Sequence, residues 1–188
     1  RERKVTMIKA IGFLELNSIA KGIEVADAML KAARVEMYLA TPTCPGKYIT
    51  LVYGDIASVE NALRTGIRLG GENVVDDLVI PNVEEQIFPA ITGTSEIDHL
   101  DAIGVIESLS MASLIVAADA STKEADVKIV EIRLGSGIGG KSYVTLTGDV
   151  ADVKAAVASG VEAIRDSGNI VYFTVIPAPH EDFKKLLL

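Results

Sequence analysis

The chain has one thiol, Cys44, in the stretch TPTCPGK over residues 41–47. Thiolate is the metal-ligating and nucleophilic form of cysteine, but one thiolate neither completes a cluster nor forms a disulfide within its own chain. Cys44 stands between Pro42 and Thr43 on one side and Pro45, Gly46 and Lys47 on the other, in what reads as an exposed turn. The prolines fix φ and lower the entropy cost of holding a thiol in place. Gly46 permits backbone conformations and close approaches that a side chain would block. On these residues alone, Cys44 reads either as a small apolar side chain or as a metal ligand. A second stretch, GSGIGGK over residues 135–141, comprises Gly135, Ser136, Gly137, Ile138, Gly139, Gly140 and Lys141. Its K-S is followed by strand-like YVTLTG, so no phosphate-binding G-x-x-x-x-G-K-[ST] stands at a strand-to-helix junction, and a flexible turn is the simpler reading. His99 and His180 are the only histidines, and neither has metal-ligand spacing to another Cys or His. Glu15 and Glu107 occupy matching strand positions, but spacing alone gives them no joint role. With no H-E-x-x-H, no dinucleotide fingerprint and no arguable Ser–His–Asp set, the sequence argues against an enzyme.

The elements that must position these stretches come in two copies. AIGFLELNSIAKGIEVADAMLKAARV (10–35) aligns without gaps on AIGVIESLSMASLIVAADASTKEADV (102–127), with about half the positions identical. Gly12 falls on Gly104, Glu15 on Glu107, Asp27 on Asp119 and Lys31 on Lys123. After a two-residue shift, GKYITLVYGDIASVENAL (46–63) matches GKSYVTLTGDVADVKAAV (140–157), and after a further shift VIPNVEEQI (79–87) matches VIPAPHEDF (175–183). The loop carrying GSGIGGK is therefore two residues longer than the one carrying Cys44. Polar, turn-rich TGTSEIDHLD (92–101) marks the boundary, giving domains over 8–95 and 100–188.

Within the first copy, AIGFLEL reads as a buried strand, and SIAKGIEVADAMLKAA as an amphipathic helix with Asn17 or Ser18 as N-cap. VEMYLAT and KYITLVYG read as strands flanking the CPGK turn. A second helix is capped by Asp55 and stopped at Gly70–Gly71; VVDDLVIP is a fourth strand and VEEQIF a short final helix. The order β-α-β-β-α-β-α predicts an α+β fold in each copy, a four-stranded sheet with helices against it.

Composition narrows the function. The 188 residues are 49% hydrophobic and 5% aromatic, without tryptophan, and mean hydropathy is +0.34. No run approaches the ~18–20 apolar residues of a spanning helix, so a chain this apolar is expected to bury surface against copies of itself. A net charge of −8 argues against nucleic-acid binding. The one basic cluster, RERK at 1–4, is too short to reverse that, and no signal-peptide pattern follows it. A single cysteine points to a reducing compartment such as the cytoplasm.

The duplicated opening, the GK turn and the GD helix start resemble the bacterial microcompartment (BMC) shell domain, and two copies in one chain resemble the tandem-domain shell proteins. CPGK in the first copy and GIGGK in the second resemble the iron–sulfur-binding T-type members of propanediol-utilisation compartments. This resemblance implies a homotrimer whose six domains form a flat, pseudo-hexameric tile, joined edge to edge with other BMC shell proteins in a shell lying in the cytoplasm. It makes TPTCPGK and RLGSGIGGK the loops around a central axis. It also implies a [4Fe–4S] cluster, one per trimer, with three Cys44 ligands and one iron open to a non-cysteine ligand. The glycine loops would leave room beside it, with Ser136 or backbone amides as donors. Electron transfer or cluster delivery across the shell follows, with a redox enzyme or flavoprotein in the lumen as a candidate partner. Lys31 and Lys123, otherwise solvated lysines complementing a helix dipole, become tile-edge lysines that bond a neighbouring tile's backbone. The companion Pro-Arg-Pro-His edge motif is altered here to PAPH (177–180) and PNVE (81–84), with Ala178 and Asn82 in place of the arginine. Two alternatives remain: a metal-free gated pore tile for metabolites, and an oligomeric small-molecule-binding regulatory protein. The last predicts a finite oligomer indifferent to charge reversal at Lys31 and Lys123.

Overall fold

A computed structural model describes residues 10–187. The basic stretch at 1–4 and the expected domain limits at residues 8 and 188 lie outside the described residues. Two compact units divide the chain after Val83. In the first, β1 (Ala10–Leu16), α1 (Ile19–Ala32), β2 (Glu36–Thr43), β3 (Lys47–Gly54), α2 (Ile56–Gly70) and β4 (Val74–Pro81) follow one another. In the second, α3 (Ile87–Thr92) precedes β5 (Ala102–Ser108), α4 (Met111–Glu124), β6 (Lys128–Leu134), β7 (Ser142–Gly148), α5 (Val150–Ala163), β8 (Ile170–Ile176) and α6 (Glu181–Leu187). Each unit has one antiparallel sheet, ordered β2-β3-β1-β4 and β6-β7-β5-β8.

The local reasons for these elements repeat between copies. Ser18 caps α1 by accepting from Lys21 N, and Ser110 caps α4 by accepting from Ser113 N. Asp55 caps α2, accepting from Ser58 N at 2.9 Å, and those hydrogen bonds hold its carboxyl below the usual range. Gly71 takes φ 54° just past the end of α2. Ladder irregularities also recur: Glu15/Leu16 matches Glu107/Ser108, and Met37/Leu39 matches Ile129/Glu131. Every residue of β1 is buried. Its Ala10, Leu14 and Leu16 pack with Val25 and Met29 of α1 and Val59, Ala62 and Leu63 of α2. Gly12 lets α2 approach closely, since a Cβ there would lie 2.2 Å from Leu63 Cδ2; Gly104 does the same against Val157.

Two expected boundaries shift. The short helix expected over VEEQIF begins only at Ile87, and residues 84–95, expected in the first domain, belong to the second unit. Tertiary hydrogen bonds explain both: Glu84 N donates to Asp119 Oδ1 at 2.9 Å, and the Gln86 side chain binds Val127 O and Ile129 N. They tie the segment to α4 and β6, and ahead of Ile87 the chain only turns, with Ile87 N donating to Glu84 O and Phe88 N to Glu85 O. A third shift concerns the exposed turn. Pro42 and Thr43 belong to β2, paired with Tyr48 and Lys47, so only Cys44–Gly46 form the turn. Because β2 is an edge strand, the missing N–H of Pro42 leaves no neighbouring strand unpaired.

Candidate functional site

Cys44 sits at the tip of the β2–β3 hairpin, free and half-buried. The turn closes with Gly46 N donating to Thr43 O at 3.0 Å, and Gly46 takes φ 81°. Pro45 and Gly46 are exposed, whereas Thr43 is buried. A Cβ on Gly46 would meet nothing within 4 Å, so the tip is open at Gly46.

Lys47 does not lend its charge to this tip. Its Nζ lies 2.5 Å from Glu15 Oε1, and the Glu15 side chain is buried on β1. In the second copy Lys141 makes the same pair with Glu107 at 2.7 Å, nearer to solvent. Sequence reading missed both pairs. The signal was present, since each glutamate and lysine matches its counterpart across the repeat, but the partners stand far apart in sequence and meet only through the β1–β3 and β5–β7 registers.

The corresponding β6–β7 loop spans 135–141 and is built differently. Two inserted residues lengthen it, and each flanking strand stops one residue short of its counterpart. Gly135, Gly137, Gly139 and Gly140 all have positive φ, between 68° and 83°, a region other residues enter at a cost. Gly135 N donates to Lys141 O at 3.1 Å and Ser136 N to Leu134 O at 2.9 Å, while Ile138 is half-buried. Beneath this loop, Arg133 and Tyr143 both bond Glu131, raising both their pKa values; for Tyr143, burial is the larger cause.

Lys31 and Lys123 are each engaged by the aspartate one turn earlier, Asp27 at 2.5 Å and Asp119 at 2.6 Å. Both His99 and His180 are exposed: His99 lies 3.2 Å from Asp101, and His180 Nδ1 accepts from Asp182 N. Among the described residues, no group of three His, Cys, Asp or Glu side chains could hold a metal ion, and no helix is long and apolar enough to cross a membrane.

Two copies of one helix-backed antiparallel sheet define a duplicated domain. Comparison with known proteins is specific about which: the BMC domain matches residues 10–83 and 102–179. The chain therefore belongs to the BMC-domain family and is a tandem-domain shell protein of bacterial microcompartments. Over 175 residues it is 45% identical to the bacterial microcompartment shell protein PduT of Citrobacter freundii, covering 93% of this chain and 95% of the relative. PduA of the same organism, another shell protein, is 40% identical over 88 residues, 46% of this chain and 91% of PduA, the share expected of a single copy. A microcompartment protein from Desulfitobacterium hafniense DCB superposes with a TM-score of 0.89 at 50% identity, covering 95% of this chain and 99% of that one. The fused permuted hexameric shell protein MSM0275 of the RMM microcompartment, 23% identical with a TM-score of 0.63, shares the fold; it covers 84% of this chain and 82% of its own. These relatives are shell proteins rather than enzymes.

Proposed function

We propose that this chain forms a homotrimeric, pseudohexagonal shell tile in which three copies of Cys44 hold one [4Fe–4S] cluster on the threefold axis. The observation that carries this reading is a free thiol at a three-residue hairpin tip, in a chain whose described residues offer no metal site of their own. A ligand set must then be assembled from several copies, and a rotational symmetry supplies it. The hairpin fits in other respects: its tip is open at Gly46, and the adjacent Lys47 is paired with Glu15. Three thiolates brought together without a cation would raise one another's pKa, a penalty that iron coordination removes. When bound, the cluster would supply one-electron transfer, suited to moving electrons, or the cluster itself, across the shell to a redox enzyme or flavoprotein in the lumen. The hairpin's part is to fix three sulfurs and leave one coordination position without a cysteine. Lys31 and Lys123 stand where lateral contacts to other shell proteins form.

The test is iron and acid-labile sulfide per trimer in anaerobically purified protein, with its visible spectrum, beside Cys44→Ser. About four of each per trimer, lost in the variant, is the expected result. A colourless trimer that stays iron-free after anaerobic reconstitution sinks the cluster and leaves a metal-free pore lined by Cys44.

A further inference from the structure

The second unit shows how one of its surfaces is closed. Met111, Ile115 and Asp119 lie four residues apart along one face of α4, and all three are buried, Met111 at 1% and Ile115 at 0% exposure. Segment 84–92 closes the Asp119 end of that face. Glu84 N bonds the Asp119 carboxylate, Gln86 donates to Val127 O at 3.1 Å and accepts from Ile129 N at 3.0 Å, and Ile87, Phe88 and Ala90 are buried. The Gln86 side chain thereby stands in for a neighbouring strand at the start of edge strand β6.

The corresponding face of α1 is Ile19, Ile23 and Asp27, and it is bare: Ile19 is 39% and Ile23 55% exposed. The Asp27 side chain is 62% exposed, against 9% for Asp119. In the repeat, Glu84 corresponds to His180, Gln86 to Asp182, Ile87 to Phe183 and Ala90 to Leu186. Those residues open α6, which buries none of its side chains and leaves Phe183 and Leu186 exposed. A chain thus carries one uncovered receiving face, in the first unit, and one uncovered covering segment, in the second.

We infer that residues 180–187 of one copy dock on the Ile19–Ile23–Asp27 face of α1 and the start of β2 in the next copy, in the manner of 84–92 on α4. This deepens the proposed trimer, on which it rests, by naming the segment that joins its chains. His180 N meets Asp27, and Phe183 and Leu186 lie over β2 beside the Ile19–Ile23 face, as α3 lies over β6. Asp182 accepts from Met37 N but, unlike Gln86, has no amide to donate to Val35 O, so this contact is one hydrogen bond poorer than its template. The contact is head-to-tail, and head-to-tail contacts either close into rings or propagate.

The experiment uses the full chain with Cys44→Ser, so that the result does not depend on a cluster. Asp27→Cys and His180→Cys are introduced together, at exposed positions, and the protein is oxidised mildly. Disulfide-linked dimers and trimers on a non-reducing gel, absent from each single-cysteine control, are expected. Phe183→Asp is expected to weaken trimer association at least about ten-fold, and Asp182→Gln to tighten it about five-fold by restoring the missing hydrogen bond. Intact trimers that form no interchain disulfide, or a disulfide confined to one chain, would overturn the inference. Its failure is separable from that of the cluster: iron-loaded wild-type trimers without the cross-link sink only this contact, and cross-linked trimers whose wild type binds no iron sink only the cluster.

Discussion

The two copies share ladders, bulges and the serine caps of their first helices, yet fill the same space by opposite means. In the first, Gly22 on α1 lies under Tyr48 on β3, and a Cβ at Gly22 would fall 2.4 Å from Tyr48 Cβ. In the second, the corresponding residues are Leu114 on α4 and Ser142 on β7, both fully buried. Bulk has moved from strand to helix. The same division holds elsewhere: backbone pairing is common to both copies, whereas side-chain volume, loop length and covered surface have diverged.

The largest expected effect comes from forcing one copy's solution onto the other. Gly22→Leu should destabilise the protein by about 3 kcal/mol, from overpacking against the Tyr48 ring. Adding Tyr48→Ser should recover most of that loss, which denaturant midpoints in a double-mutant cycle measure directly. A tolerated Gly22→Leu would show that the copies do not exchange volume here.

Next come the paired lysines. Lys47→Met leaves the buried Glu15 carboxylate without a partner and should cost about 3 kcal/mol. Lys141→Met should cost under about 1 kcal/mol, because Glu107 and Lys141 both reach solvent. Equal losses in urea melts would contradict the difference in burial.

The smallest effect tests the outer strands. Desolvation, helped by Asp76 next door, holds the Asp77 carboxyl above its usual range on β4, where β8 has Tyr172 and Phe173. A raised carboxyl pKa favours the protonated folded form, so stability falls as pH rises through the carboxylate range. Asp77→Asn should remove that loss, gaining no more than about 0.5 kcal/mol at neutral pH. The gain should vanish in thermal melts taken below the carboxylate range.

Much of this was legible before any coordinates. The repeat, the strands KYITLVYG and VVDDLVIP, the cap at Asp55 and the stop at Gly70–Gly71 are local signals, and the fold follows them. Cys44 was visible as the one thiol, although its turn is shorter than TPTCPGK suggests because Pro42 and Thr43 join the ladder. What stayed hidden depends on register and on docking. Glu15 meets Lys47 only through the β1–β3 pairing, and segment 84–92 joins the second unit because Glu84 and Gln86 are engaged with Asp119 and the start of β6. The aspartates beneath Lys31 and Lys123 lie four residues earlier, a spacing that helical geometry could have yielded from sequence.

Segment 84–92 has a consequence for behaviour on dilution. It is tethered to the surface it closes, so that contact forms at an effective concentration on the order of millimolar whatever the amount of protein in the cell. Among the described residues of the first unit, no segment lies against the Ile19–Ile23 face of α1 in this way. If a second copy covers it, as inferred above, that half of the molecule closes only as concentration rises, while the other half is clad from the moment it folds.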